Sequence, residues 1–196
     1  MNSKAFDRFA GACAVAAALG GVAYGIAFTI LGNPLLYSSL LMLGGLLSSL
    51  VLMSLYDNLK GTNAPIALWA LLIGVAGALG SVAHGGYDLA NAIHPPDTAA
   101  LSLANFPSQI DARGLLTFGF AGLAVLVFSA LIGRSSRFPK GLNSLGYILG
   151  ALLVIIYLGR LIILDPTNLV VRIALLAGVV VNTIWYVWLG LTLRRA

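Results

Sequence analysis

Long apolar runs separated by short polar connections make up most of this chain and predict its secondary structure. Six of these runs reach the length of about 20 residues that a helix needs to cross the apolar core of a bilayer. We therefore predict an all-α polytopic membrane protein, a single domain over residues 1–196 built as a bundle of six transmembrane helices. The predicted spans cover about 9–31, 34–56, 64–84, 112–133, 142–164 and 166–193.

Local signals mark the starts of several spans. A capping side chain followed closely by proline is typical of a helix N-terminus, because the cap accepts a backbone hydrogen bond and proline has no N–H to lose. This pattern occurs at Asn33 with Pro34, at Asn63 with Pro65 and at Asp165 with Pro166. The fourth span follows a capping-box-like spacing from Ser108 to Asp111.

The third span has a less certain end. Two adjacent glycines, Gly85 and Gly86, each disfavour a helix by about 1 kcal/mol relative to alanine, so the predicted end is His84. Residues of about 85–111 then form the one long loop, and loops of that length in compact proteins are often functional. The alternative is a helix that continues through the two glycines.

Composition agrees with a membrane location and excludes a soluble class. Hydrophobic residues make up 60% of the chain and charged residues only 9%, with a mean hydropathy of +0.99, whereas soluble domains carry about 25% charged residues. The formal net charge is +5, which in a soluble protein would suggest nucleic acid. Here the positive-inside bias of membrane proteins explains the excess, so we expect no nucleic-acid partner.

The distribution of basic residues predicts the orientation. Eight lysines and arginines fall on the side that holds both termini, and three on the other side. The eight are Lys4, Arg8, Lys60, Arg134, Arg137, Lys140, Arg194 and Arg195, and the three are Arg113, Arg160 and Arg172. Both termini are therefore predicted to be cytoplasmic and the long loop extracytoplasmic, in a multi-pass protein of a cell membrane. No Asn-x-Ser/Thr acceptor occurs, which is compatible with a bacterial cytoplasmic membrane.

Polar residues gather at the predicted outer end of the third span. Gly77, Ser81, His84, Asp88 and Asn91 are spaced by three or four residues, so they share one face if the helix continues. A histidine four residues before a carboxylate suits a hydrogen-bonded pair. With two arginines inside the outer ends of the fifth and sixth spans, these residues predict a ligand-binding pocket. Its candidate residues are His84, Asp88, Asn91, His94, Arg160 and Arg172.

Several functions remain open for such a protein. The favoured one is a non-enzymatic protein that binds a small ligand or lipid in a polar extracytoplasmic pocket, or an accessory subunit of a membrane complex. The alternatives are a small transporter and an intramembrane enzyme that uses the His84-Asp88 pair, with Ser81 nearby. No catalytic residue, metal site or cofactor is predicted, since the only candidates for further zinc ligands are His94 and Asp97.

The partners predicted are the lipid bilayer and a membrane protein or a second copy of the chain. Gly21-x-x-x-Gly25 and Gly146-x-x-x-Gly150 place small residues one helical turn apart, which lets helix backbones approach closely. This pattern favours a compact bundle, and a homodimer face is the second interpretation.

The C-terminal end resembles a known group of proteins. Residues 182–190 read Asn-Thr-Ile-Trp-Tyr-Val-Trp-Leu-Gly and are followed by Leu193, Arg194 and Arg195. This ending resembles the last helix of uncharacterised bacterial six-helix integral membrane proteins. The resemblance implies a six-helix membrane fold and carries no activity with it.

Overall fold

Helices form nearly all of the described structure. The computed structural model describes residues 3–95, 112–164 and 168–195, and no strand occurs in these ranges. The helices are α1, Ser3–Ile26 with a π-helical turn Ala27–Leu31; α2, Pro34–Ile93; α3, made of Ala112–Gly114, a π-helical turn Leu115–Phe120 and Ala121–Arg134; α4, Leu142–Ile162; and α5, Leu169–Arg195. The caps predicted at Ser108 to Asp111 and at Asp165 lie outside the described residues, as does Asp97.

Five helices in the described ranges are long and apolar enough to cross a membrane. The prediction of an all-α protein with helices of membrane-spanning length is confirmed. The cap predicted at the start of α2 is confirmed too, since the Asn33 side chain accepts a hydrogen bond from the Leu36 N–H at 3.1 Å, and Pro34 follows. At α5, the side chain of Asn168 accepts a hydrogen bond from the Val170 N–H at 3.0 Å.

The helix α2 is bent at Asn63, where the sequence predicts the start of a separate span. The backbone of Asn63 is extended, with φ −162° and ψ 97°, and its side chain accepts a hydrogen bond from the Ile66 N–H at 3.2 Å. Pro65 has no N–H to donate back to the preceding turn. Asn63 therefore caps the helical segment that follows it, and we call 34–62 the first limb and 64–93 the second limb of α2.

The two limbs of α2 fold back against each other. A Cβ built on Gly45 would lie 2.5 Å from the carbonyl oxygen of Ala78, and one built on Gly85 would lie 2.6 Å from that of Ser38. Contacts this short require glycine at both positions, because a side chain would overlap with the opposite backbone. The limbs therefore form an antiparallel helical hairpin.

The same contact corrects the predicted end of the third span at His84. The second limb continues through Gly85 and Gly86 to Ile93, so a helix occupies the first part of the predicted loop. Gly85 faces the backbone of the first limb at Ser38 and Met42. Close packing between the limbs offsets the low helix propensity of the glycines, which the sequence pattern alone could not reveal.

The helices form a ring in chain order. α1 contacts α2, α2 contacts α3, α3 contacts α4 and α4 contacts α5, while α5 returns to contact α1. The ring closes where Gly11 and Gly190 meet, because a Cβ on either glycine would lie 2.6 Å from the carbonyl oxygen of the other.

The predicted small-residue motifs lie inside this ring. Gly21 and Gly25 of α1 face Asn182 and Val179 of α5, and Gly150 of α4 faces Gly122 of α3. A Cβ on Gly150 would lie 2.8 Å from the Gly122 carbonyl oxygen. Both motifs therefore contribute to contacts within the bundle, as the compact-bundle interpretation predicts.

Each end of the bundle is defined by a buried aspartate. The Asp7 end holds the start of α1, the Asn63 bend, the α3–α4 connection and the C-terminal end of α5, since Asp7 bonds to Ser54 and Arg137, and Arg194 lies beside Gly11. The Asp88 end holds the α1–α2 turn, the end of the second limb and the start of α3. Both described chain ends therefore lie at the Asp7 end.

The neighbouring glycines of the second limb provide a test of the hairpin contact. We expect Gly85→Ala to lower the free energy of unfolding by about 1–3 kcal/mol, because the new methyl group would overlap with the first limb. Gly86→Ala is the matched control, since a Cβ there meets only Met42 at 3.9 Å. Thermal unfolding in detergent micelles would measure both, and equal midpoints for the two variants would contradict the contact.

Candidate functional site

Three side chains form a charged cluster at the Asp88 end. Asp88 Oδ2 lies 3.5 Å from His84 Nε2, and Asp88 Oδ1 lies 3.8 Å from Arg113 Nη1. His84 and Asp88 are one turn apart on the second limb, while Arg113 comes from the first turn of α3. The Asp88 side chain is only 6% exposed, and a buried carboxylate is costly unless it has polar or charged partners such as these.

Aromatic rings lie beside two arginine side chains at the Asp88 end. The guanidinium carbon of Arg113 lies 4.8 Å from the centre of the Tyr87 ring, and that of Arg160 lies 5.9 Å from the centre of the Phe118 ring. Both distances suit cation–π contacts, which strengthen where water is excluded. Arg160 belongs to α4 and Phe118 to α3, so both of these helices contribute to this end.

Two π-helical turns occur at the Asp88 end, in the last turn of α1 and in the first part of α3. Such turns widen a helix locally and are frequent at functional sites. The turn in α3 carries Thr117 and Phe118. The turn in α1 carries Phe28, whose ring stacks on Tyr24 at a centroid distance of 5.9 Å and meets Tyr37 edge-on at 5.2 Å.

The six predicted site residues separate into two groups. His84 and Asp88 are in direct contact, and Arg160 lies in the same region beside Phe118. Asn91 is half-buried farther along the second limb, while His94 and Arg172 are exposed. The structure therefore brings His84 and Asp88 together and adds Arg113, which the sequence analysis had counted only as an outer-side charge.

A cavity of about 180 Å³ lies at the centre of the ring, closer to mid-depth than the charged cluster. Its walls come from every helix of the ring, including both limbs of α2. The lining residues are Ala17, Gly21, Tyr24, Leu40, Leu41, Gly44, Gly45, Ser48, Leu52, Gly74, Gly77, Ala78, Ser81, Thr117, Ala121, Ala124, Val125, Leu153, Asn182 and Tyr186. None of the six predicted site residues belongs to this lining.

Uncharged polar side chains provide the hydrogen-bonding groups of the cavity. Those in the lining are Tyr24, Ser48, Ser81, Thr117, Asn182 and Tyr186. Ser81 donates its hydroxyl to the Gly77 carbonyl at 3.3 Å, the usual arrangement for a serine within a helix. The buried Oγ1 of Thr117 has no hydrogen-bond partner in the described ranges, which is unusual for a buried hydroxyl.

Two residues of the cavity lining lie towards the Asp88 end. Tyr24 lines the cavity, and its ring stacks on Phe28 in the π-helical turn at that end. Ser81 also lines the cavity and lies one turn before His84 on the second limb. The polar face predicted on the third span therefore leads from the cluster into the cavity.

A second buried acid, which the sequence analysis missed, holds the Asp7 end together. Asp7 Oδ1 accepts hydrogen bonds from the Ser54 hydroxyl at 2.7 Å and the Asn58 amide at 2.9 Å. Its other oxygen, Oδ2, accepts one from Arg137 Nη2 at 2.8 Å. The Asp7 network thus joins α1, the first limb and the α3–α4 connection.

A signal for the Asp7 network was present in the sequence but incomplete. Ser54 and Asn58 are four residues apart, so they share a helix face at the end of the first limb. An acid in the first turns of α1, just before the apolar run, is a natural partner. Which acid meets which face depends on how the helices pack, and the sequence does not specify that.

The described residues of these sites offer hydrogen-bonding and charged groups to a ligand. Among residues 3–95, 112–164 and 168–195, no group of three or more His, Cys, Asp or Glu side chains is placed to hold a metal ion. Comparison with protein-family models, curated proteins and solved structures finds no match to this chain.

The Asp7 network predicts a measurable loss of stability. Asp7→Ala would remove the acceptor of fully buried Ser54, so we expect the free energy of unfolding to fall by about 2–3 kcal/mol. Asp57→Ala is the control, because Asp57 pairs only with neighbouring Lys60 on an exposed surface and its loss should change little. Thermal unfolding in detergent micelles measures both variants. An Asp7→Ala midpoint equal to that of Asp57→Ala would contradict the network.

Proposed function

We propose that this chain is a non-enzymatic membrane protein that binds a small ligand in its central cavity. In this proposal the ring crosses the membrane six times, with α2 crossing twice because of the bend at Asn63. Both termini are cytoplasmic, and the membrane is the cytoplasmic membrane of a bacterium. The charged cluster at the Asp88 end is the polar extracytoplasmic entrance to the cavity.

The cavity is the observation that carries this proposal. Binding sites in helical bundles are mostly apolar spaces between helices, with a few polar groups that orient the ligand. The cavity fits this description, since small and aliphatic residues form most of its wall and six uncharged polar residues are distributed around it. Closely packed bundles have few voids larger than a water molecule, and this space of about 180 Å³ is large enough to hold a small molecule.

The outer surface of the bundle supports a lipid environment. Large apolar side chains are highly exposed on several helices, for example Leu19 at 62%, Leu72 at 62% and Ile162 at 72%. Monomeric soluble proteins rarely expose contiguous apolar surface on this scale. The bilayer is therefore the proposed main partner of these faces, and a second membrane protein could cover part of them.

The positions of basic residues support the orientation. The Asp7 end includes the connections that carry Lys60, Arg134, Arg137 and Lys140, together with both chain ends. Arg113 and Arg160 lie at the Asp88 end. The positive-inside rule then assigns the Asp7 end to the cytoplasm.

A small transporter is the second candidate, and the depth of the cavity favours it. Many transporters bind their substrates near the middle of the bilayer, between helices that can rearrange on either side. Here the cavity lies between two buried-acid networks, Asp7 with Arg137 at one end and Asp88 with Arg113 at the other. Flux of a bound ligand across proteoliposomes would distinguish transport from binding alone.

Thiol labelling tests whether small molecules reach the cavity. In a Cys13→Ala background, we expect Ser48→Cys to react with methyl methanethiosulfonate, because Ser48 lines the cavity. Ser49→Cys is the matched control, since Ser49 lies on the same helix and outside the lining. Methyl methanethiosulfonate reacts only with the thiolate form of cysteine, and a cysteine thiol that faces lipid stays protonated.

The expected result is labelling of the Ser48→Cys protein at least about tenfold faster than the Ser49→Cys protein, measured by mass spectrometry. If small solutes reach the ligand-free cavity, water reaches it too and hydrates the thiolate of the first variant, whereas a charged ligand that filled the cavity would displace that water. Equal, slow labelling of both variants would mean that the cavity does not admit small molecules, and the proposed function would then be wrong.

Reporter fusions test the proposed topology. We expect green fluorescent protein fused after Arg195 to fluoresce and alkaline phosphatase at the same position to be inactive, because the C-terminus is proposed to be cytoplasmic. Alkaline phosphatase fused after His94 should be active. The reverse pattern at either position would contradict the orientation.

A further inference from the structure

We propose that the ligand of the central cavity is a compact, uncharged molecule with an apolar body and one or two hydrogen-bonding groups. This inference rests on the proposed function and specifies the chemistry of the same site. Three properties of the cavity carry it: its volume, the absence of charge in its lining, and the placement of its polar groups.

Volume limits the size of the ligand. A cavity of about 150 Å³ in a protein core is large enough to hold benzene. The cavity here measures about 180 Å³, so it accommodates about seven or eight non-hydrogen atoms. A single small ring or a short branched chain fits within this space, whereas a lipid, a nucleotide or a disaccharide would extend beyond it.

The lack of charged side chains in the described lining selects against ions. All twenty described residues of the lining are uncharged at neutral pH, and Asp88 is engaged with His84 and Arg113 outside the lining. Moving an isolated ion from water into such a space costs far more than hydrogen bonds to hydroxyl groups recover. A charged ligand would therefore bind very weakly compared with a neutral one of the same shape.

The polar groups favour a ligand that forms hydrogen bonds over a pure hydrocarbon. Thr117 lines the cavity, and its Oγ1 is buried with no hydrogen-bond partner in the described part of the chain. Rotation of this side chain would turn the hydroxyl towards a ligand hydroxyl or carbonyl. Asn182 adds an amide from α5, opposite the second limb, while Tyr24 and Tyr186 add aromatic rings with polar tips. A neutral ring with one hydroxyl group would pack against the apolar part of the lining and form a hydrogen bond with one of its polar side chains.

Gly44 offers a way to fill the cavity without disturbing the packing. It lies in the lining, and a Cβ built on it meets no atom within 4 Å, so a side chain there would enter the open space. Gly20 on α1 has equally open surroundings and is not part of the lining. Gly44→Val and Gly20→Val therefore form a matched pair.

The experiment uses the purified full-length chain in detergent micelles with two isosteric pairs of probes. Benzyl alcohol and benzylammonium test charge, and phenol and toluene test hydrogen bonding. Binding is measured by isothermal titration calorimetry and by quenching of Trp185, whose indole ring meets the cavity-lining Tyr186 edge-on at 5.1 Å. Trp69→Phe and Trp188→Phe remove the other two indole signals.

We expect saturable binding of benzyl alcohol and at least about hundredfold weaker binding of benzylammonium. Phenol should bind about threefold or more tightly than toluene, which corresponds to one net hydrogen bond. Gly44→Val should abolish binding, and the single methyl of Gly44→Ala should weaken it. Gly20→Val should bind as the wild type does, with the unfolding midpoint of every variant unchanged.

Several outcomes would overturn the inference. If benzylammonium binds as well as benzyl alcohol and Gly44→Val still blocks it, the ligand class is wrong and the proposed function stands. If toluene binds at least as tightly as phenol, hydrogen bonding does not select the ligand. Binding that is insensitive to Gly44→Val means partitioning into the micelle, and absence of binding by all probes rejects this ligand class. The proposed function itself fails only if the Ser48→Cys protein is also unreactive.

Discussion

Close contact between helix backbones at glycine is the interaction on which this structure depends. Lipid chains are as apolar as leucine, so helices in a bilayer gain little from burying apolar surface and associate through van der Waals packing and hydrogen bonds. Gly45 and Gly85 bring the limbs of α2 together, Gly122 and Gly150 join α3 to α4, and Gly11 with Gly190 closes the ring. Each contact places one helix directly against a backbone carbonyl of its neighbour. With the ring closed in this way, its centre is bounded by small residues and remains open as the cavity.

The type of polar side chain changes along the length of the bundle with the free-energy cost of burying it. Acids are placed at the two ends, where Asp7 meets Arg137 and Asp88 meets Arg113, and each charge has a partner of opposite sign. Between the two ends, the only polar side-chain groups of the described cavity lining are hydroxyl groups and one amide. These groups are far less costly to remove from water than a charge. The Asp7 network ties a chain end to a connection between helices. The Asp88 cluster joins the second limb to the start of α3, one helical turn beyond Ser81 of the cavity lining.

The predictions that succeeded depend on local chemistry. The apolar runs predicted membrane-length helices, and Asn33 and Asn63 cap helices because an amide side chain next to a proline acts within one turn of backbone. His84 and Asp88 were predicted as a pair because residues four apart on a helix are neighbours, and they are in contact. The ligand-binding role of the six candidate residues stays a prediction. Asn91, His94 and Arg172 do not join the cluster, and the cavity was not foreseen, since its lining draws single small residues from every helix.

The sequence by itself therefore determined that this protein is helical, where most helices begin, and which residues of one helix share a face. These properties follow from hydrogen bonds and periodicity within a few residues. Only the tertiary structure decided that Gly85 continues a helix instead of ending it, that Asp7 lies beside Ser54 and Arg137, and that the ring leaves a space at its centre. The reason is that each of these depends on the distance between two helices. That distance is set by the shapes of both surfaces together, which no pattern along one stretch of chain contains.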